Sequence, residues 1–167
     1  MADWIIEPFS KGHTRDTFTC GQPSLDDFIQ NRVSQYEKRR LGKTYIAVRT
    51  GEPLVIGYYT LAAGTVSFEH LPVAVSKKLH RHPTPAILLA RLAVDRTAQG
   101  KRLGEALLLD AMQRSLNLSD AMGIHVLSVE TINDSALTFY RKYGFISLQD
   151  DIRHLYLPIS TVETLLG

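Results

Sequence analysis

Residues 86–108 leave few choices of architecture. Ala86-Ile-Leu-Leu-Ala-Arg-Leu-Ala-Val94 is an apolar run broken only by Arg91. It is followed by Asp95-Arg-Thr-Ala-Gln-Gly-Lys-Arg-Leu-Gly-Glu-Ala-Leu-Leu108, a glycine-bearing turn that leads into an apolar helix. A strand without a polar face has to be covered on both sides, which points to a central strand in an α/β protein. A glycine turn between such a strand and a helix is also a device for holding phosphate. Free backbone N–H groups and the positive end of the helix dipole converge there on an anion.

At 167 residues the chain is long enough for one domain with a substantial core and short for two, so 1–167 is read as a single domain. With 44% hydrophobic and 22% charged residues, and no low-complexity tract or internal repeat, nothing marks a linker or a disordered tail. The start, Met1-Ala-Asp-Trp-Ile-Ile-Glu-Pro8, lacks the basic flank and long apolar core of a signal peptide, and the apolar run at 86–94 is too short to span a bilayer. Cys20 is the only cysteine, and no Cys/His spacing matches a zinc site; His80-Arg-His82 gets no metal role. A reducing cytoplasm, no membrane and no metal are the expectations. A net charge of +2 does not announce a nucleic-acid binder, but the charge is uneven, with basic clusters at Lys38-Arg39-Arg40-Leu-Gly-Lys43 and Lys77-Lys78-Leu-His-Arg-His82.

Periodicity predicts a first strand over Trp4–Phe9. A helix from Ser24, capped by that serine, to about Arg40 is expected to bury Leu25, Phe28, Ile29, Val33 and Tyr36. Thr44–Arg49 and Leu54–Ala62 read as a hairpin, Gly64–Pro85 as a long connection with a short helix near Val75–Leu79, and Ala86–Val94 as the central strand. A helix over about Leu103–Leu116, a strand over Ile124–Glu130, a helix capped by Asn133 and ended by Gly144, and strands over Phe145–Leu148 and Arg153–Leu157 complete a mixed α/β arrangement of sheet and flanking helices.

The turn Gln99-Gly-Lys-Arg-Leu-Gly104, together with Asn133 and the Phe139-Tyr-Arg-Lys-Tyr-Gly-Phe145 segment, resembles the GNAT family of acyl-CoA N-acyltransferases. The resemblance implies the GNAT fold, a central mixed sheet flanked by helices, with acetyl-CoA as cofactor. In the family the pattern is Gln/Arg-x-x-Gly-x-Gly/Ala. By resemblance Gln99, Gly100, Lys101, Arg102, Leu103 and Gly104 bind its pyrophosphate, and the backbone of Leu92, Ala93 and Val94 pairs with the pantetheine. Arg102 stands where the first glycine is usual; ordinary helical torsion there would accommodate an arginine whose guanidinium reaches a phosphate. Taken alone, the turn could equally be the plain start of a helix. By resemblance Asn133 contacts the pantetheine arm and Tyr140 sits near the thioester sulfur. A phenol with a pKa of about 10 stays protonated at neutral pH and can donate to a departing thiolate whose acid form has a pKa of about 8.5. Tyr140 also fits simply as a packing residue of its helix, and the two roles are compatible. The central strand carries no carboxylate, only Arg91, where lysine acetylases of the family carry a general base. An α-amine, with a pKa of about 8, needs less help than a lysine at about 10.4.

Phe18-Thr-Cys-Gly-Gln-Pro-Ser-Leu-Asp-Asp-Phe28, Gly57-Tyr-Tyr-Thr-Leu-Ala62 and Leu88-Leu-Ala-Arg-Leu-Ala-Val94 resemble one branch in particular, the GNAT toxins of toxin–antitoxin pairs. That resemblance implies acetylation of the α-amino group of aminoacyl-tRNA, which blocks translation. It also implies a homodimer and a ribbon-helix-helix antitoxin, with operator DNA reached only through that antitoxin. Lys38, Arg39, Arg40, Lys43, Lys77, Lys78 and Arg91 are then candidates for the tRNA substrate. Two alternatives stay open: a housekeeping N-acetyltransferase of a small amine or protein amino terminus, and a non-catalytic module that binds acyl-CoA or an antitoxin.

Overall fold

The computed structural model describes residues 3–67 and 83–167. The expected short helix near Val75–Leu79, with Lys77 and Lys78, lies outside them. Among the described residues seven strands form a mixed sheet, β1 (Trp4–Pro8), β2 (Lys43–Arg49), β3 (Val55–Val66), β4 (Thr84–Val94), β5 (Val126–Glu130), β6 (Ile146–Ser147) and β7 (His154–Pro158), in the order β1-β2-β3-β4-β5-β7-β6. The chain divides into two compact units, residues 1–62 with 90–111, and residues 63–89 with 112–167.

In the first unit β1 and β2 are antiparallel from Trp4↔Arg49 to Pro8↔Tyr45, and β2 and β3 from Lys43↔Leu61 to Val48↔Val55. The hairpin read at Thr44–Arg49 and Leu54–Ala62 is therefore present, with β3 four residues longer at its end. The expected helix from Ser24 is three pieces: α1 (Pro23–Asp27), a π-helical turn (Phe28–Arg32) and α2 (Val33–Lys38). Ser24 is not its cap. Pro23 presets the torsion of the first helical residue, so Gln22 stands at the cap position and makes no side-chain capping bond. The apolar face is as expected. Phe28, Ile29 and Val33 are buried against Phe18, Ile46, Val48, Val55, Tyr58 and Ala93, with Leu25 and Tyr36 half-buried beside them. Burial on this scale contributes about 1.5–3 kcal/mol per large apolar side chain. Tyr58 is satisfied there because its hydroxyl donates to the Leu25 carbonyl (2.6 Å).

A long helix, α3 (Leu103–Ser119), follows β4 by way of a single 3₁₀ turn, Arg96–Ala98. Its first turns lie close to the sheet because position 57 is glycine. A Cβ there would come within 3.0 Å of Leu107 Cδ1, 3.1 Å of Leu103 Cδ2 and 3.2 Å of the Ala93 carbonyl oxygen.

In the second unit β4 and β5 are parallel, β5 and β7 antiparallel, and β6 and β7 antiparallel. A parallel pair needs a crossover, and α3 lies on the connection that makes it. Val66, Ala86, Val126, Leu148 and Tyr156 form a core cluster. The helix α4 (Asp134–Lys142) starts at Asn133 as expected, and Gly144, at φ +96, follows its end. Two elements differ from the sequence reading. The strand expected over Phe145–Leu148 is only Ile146–Ser147, and a C-terminal helix, α5 (Ile159–Leu166), goes unread in the sequence although Pro158 stands at its cap position.

Candidate active site

The first unit brings together the end of β4 and the turn before α3. The parallel register of β4 with β5 ends at Leu89↔Val129, while β4 runs on to Val94. The backbone of Leu92, Ala93 and Val94 thus has no β5 partner among the described residues. Asp95 then ends the strand and organises the turn after it. Its carboxylate accepts from the N–H groups of Thr19 (2.8 Å) and Thr97 (3.0 Å) and from the Thr97 hydroxyl (2.6 Å). Burial pushes the Asp95 carboxyl up, but the hydrogen bonds from Thr97 and Thr19, aided by the charge of Arg49, outweigh it and hold the group below the ordinary carboxylate range.

Gln99 does not present its side chain to the turn. Its amide donates to the carbonyls of Val94 (2.9 Å) and Cys20 (3.2 Å). The Thr19–Cys20 dipeptide is therefore clasped from two sides. Arg96 N–H donates to the Thr19 carbonyl (2.8 Å), and Asp26 of α1 accepts from the Cys20 N–H (2.8 Å). Sequence reasoning missed Asp95, Asp26 and Thr19 altogether. The Cys20 thiol, half-buried beside Asp26, is pushed by burial up to about 11.

Gly100 and Arg102 both have left-handed backbone, at φ +79 and +65, and a Cβ on Gly100 would meet nothing within 4 Å. The first backbone bond into the helix runs from Ala106 N–H to the Arg102 carbonyl (3.1 Å). The N–H groups of Leu103 and Gly104 ahead of it are helix-start donors that no intrahelical acceptor can serve, so the donor set fits a pyrophosphate. The ordinary helical torsion that would have accommodated Arg102 without strain is not what the backbone has. The backbone takes the conformation that a glycine would favour, and the exposed arginine bears it. A left-handed L-residue costs about 1–2 kcal/mol, and glycine's larger unfolded-state entropy returns roughly 0.5–1 kcal/mol of that. Arg102→Gly should therefore raise stability by about 0.5–1 kcal/mol, read as a rise of roughly 1–4 °C in a thermal melt. A fall in melting temperature would contradict the strained conformation.

Asn133 and Tyr140 belong to the second unit. The Asn133 Oδ1 accepts from Ala136 N–H (2.8 Å), which leaves the side-chain amide N–H groups as the donors available to a ligand. Tyr140 is buried, edge-on to Phe139 and Phe145 with ring centroids 5.1 and 5.4 Å away. Burial alone raises its pKa far above that of an ordinary phenol, so it is held protonated at every physiological pH.

The candidate substrate residues fall into different situations. Lys38, Arg39 and Arg40 are exposed at the end of α2, where cations suit the helix dipole, and Arg40 is itself left-handed at φ +57. Lys43 is exposed and paired with Glu37 at 3.8 Å. Lys101 is exposed beside Arg102. Arg91 is not a free surface cation: its guanidinium lies 3.7 Å from the centroid of Phe28 and 4.9 Å from that of Tyr36. Among the described residues no cluster of His, Cys, Asp and Glu could hold a metal ion, and no helix is long and apolar enough to cross a membrane.

A family model described as an acetyltransferase (GNAT) domain matches residues 40–147. A protein of Mycobacterium tuberculosis (strain ATCC 25618 / H37Rv) named tRNA-acetylating toxin is 35% identical over 151 residues, covering 90% of this chain and 89% of that one. The structure of AtaT complexed with acetyl-methionyl-tRNAfMet matches with a TM-score of 0.91 at 32% identity, covering 99% of this chain and 100% of that one. A tyrosine-to-phenylalanine mutant of AtaT bound to the C-terminus of the antitoxin AtaR and acetyl-CoA matches at 0.84 and 30% identity, covering 99% of each chain.

Proposed function

Because this chain belongs to the GNAT acetyltransferase family and has its fold, we propose that it is a toxin that transfers the acetyl group of acetyl-CoA to the α-amino group of aminoacyl-tRNA. The observation that carries this reading is the full-length match to AtaT in its complex with acetyl-methionyl-tRNA. On this reading 1–167 is one catalytic domain that works in the cytoplasm as a homodimer. A ribbon-helix-helix antitoxin neutralises it and links it to operator DNA.

When bound, acetyl-CoA supplies a thioester whose acyl carbon is open to an amine. The residues of the chain hold and assist it. The N–H groups of Gly100, Lys101, Arg102, Leu103 and Gly104 take the pyrophosphate. The backbone of Leu92, Ala93 and Val94, on the edge without a β5 partner, takes the pantetheine, and the Asn133 amide donates to the same arm. Gln99 acts through the backbone it clasps. β4 contains no carboxylate to deprotonate an ammonium, which suits an α-amine already partly neutral near pH 8 and disfavours lysine. Tyr140 gives its proton to the sulfur as the C–S bond breaks, and the proton shed by the attacking amine restores the phenol, so that amine and thioester become amide and thiol.

The test is incubation with labelled acetyl-CoA and, separately, charged tRNA, deacylated tRNA and a lysine-rich protein. Label should appear on charged tRNA alone. Label on the protein would identify a housekeeping acetyltransferase instead, and label on nothing a binding module.

A further inference from the structure

Among the described residues, Arg91 is a cation without an anion. Its side chain makes no hydrogen bond or ion pair with any of them, and its Nη1 is buried with no acceptor. Its contacts are aromatic: the face of Phe28 at 3.7 Å and that of Tyr36 at 4.9 Å. Half-buried arginines are ordinarily paired with carboxylates, and each buried donor left open calls for an explanation. The two carboxylates of α1 are engaged elsewhere. Asp26 is engaged by Cys20 and Thr19, and Asp27 by Asn31 and Arg32. Phe28, whose ring lies under the guanidinium, is the first residue of the π-helical turn, so the cation is held against a local irregularity of the helix.

A guanidinium so fixed has already lost the side-chain freedom that a surface arginine loses on binding, and its planar fork matches the geometry of a phosphate. It also sits immediately before Leu92–Val94, the strand backbone read as the cofactor's. We propose that Arg91 is a preorganised receptor for a phosphate oxyanion of the acceptor, the phosphodiester nearest the 3′ end of the charged tRNA. This rests on the aminoacyl-tRNA reading and adds a recognition residue to it. Acetyl-CoA also carries phosphate, so the experiment separates the two sources.

Arg91→Gln and Arg91→Lys are to be assayed with charged tRNA, with an aminoacyl-adenosine that has the same reactive amine but no phosphodiester, and against varied acetyl-CoA. Arg91→Gln should raise KM for charged tRNA about tenfold and flatten its dependence on salt by about 0.7 in log–log slope, the amount for one single-strand phosphate. Arg91→Lys, which keeps the charge without the fork, should recover part of the loss. The KM for acetyl-CoA and the rate on aminoacyl-adenosine should stay within about twofold of wild type. Equal losses on both acceptors with an unchanged salt slope would mean that Arg91 only supports the helix, and would overturn the proposal. A rise confined to acetyl-CoA would overturn it in favour of a cofactor phosphate. If the wild-type protein acetylates no charged tRNA, the functional reading falls. Equilibrium binding of deacylated tRNA then decides on Arg91: equal affinity of wild type and Arg91→Gln overturns the site, and a weaker, less salt-sensitive variant supports it.

Discussion

Replacing Tyr140 by phenylalanine is expected to lower acetyl transfer by about 10²–10⁴ at saturating acetyl-CoA while leaving the melting temperature nearly unchanged. The two halves of this result have separate grounds. The loss of rate comes from removing the one group assigned to protonate the departing thiolate, and burial keeps that phenol protonated across the physiological range. The preserved stability comes from the contacts of the ring. Tyr140 packs against Phe139 and Phe145, and phenylalanine keeps those contacts. No described residue donates to or accepts from the hydroxyl, so its removal strands no buried partner. Initial rates across a pH series supply a second check. With its pKa raised this far, Tyr140 should cause no fall in rate between pH 7 and pH 9. A variant that melts many degrees lower, or one that keeps full rate, would remove Tyr140 from the chemistry.

Asp95→Ala should be the most damaging change in the cofactor turn. Three donors lose their acceptor at once: the N–H groups of Thr19 and Thr97 and the Thr97 hydroxyl. Hydrogen bonds to a charged acceptor contribute about 1.5–3 kcal/mol each when counted singly, and some of these donors regain water, so a net loss of about 3 kcal/mol is expected. For a chain of this length that is roughly 6–12 °C in melting temperature. The lowered carboxyl sets the sign of the pH dependence. Its contribution is fully present above the unfolded-state value of about 3.9 and is lost as pH falls through the lower folded value. The gap between wild type and Asp95→Ala should therefore be full at pH 7 and narrow only in strong acid. A gap that stayed constant over that range would show that the loss is one of packing. Because Asp95 also fixes the turn, KM for acetyl-CoA should rise with it.

The strand, turn and helix of residues 86–119 were legible because each element there is marked by composition: an unbroken apolar run, a glycine, then helical spacing. The face of the first helical segment was legible for the same reason, since Leu25, Phe28, Ile29, Val33 and Tyr36 keep their spacing whatever the hydrogen-bond pattern beneath. That pattern itself left no trace. A π turn changes which carbonyl receives an N–H and not which residues are apolar, so Phe28–Arg32 read as ordinary helix. Arg102 misled in the opposite way. Arginine is no marker of left-handed backbone, and only the glycine of the family pattern at that position signalled it. The bond from Thr19 to Asp95 joins residues 76 apart in sequence, and pairing at such range has no local signature. For candidates chosen by charge, the sequence carried no sign of the surroundings: Lys43 stands beside Glu37, and Arg91 lies against two rings.

The position of Cys20 makes this protein convenient to assay. Acetyl transfer frees one coenzyme thiol per turnover, and the simplest continuous readout is a reagent that colours when a thiolate attacks it. An enzyme with a reactive cysteine would consume that reagent itself. Here the only thiol of the chain is half-buried and has a pKa of about 11, so at pH 7 only roughly one molecule in ten thousand carries the thiolate, against a few per cent for a free thiol at about 8.5. Cys20 should therefore react slowly with the reagent, and turnover can be followed by released thiol over a small background without mutating the chain.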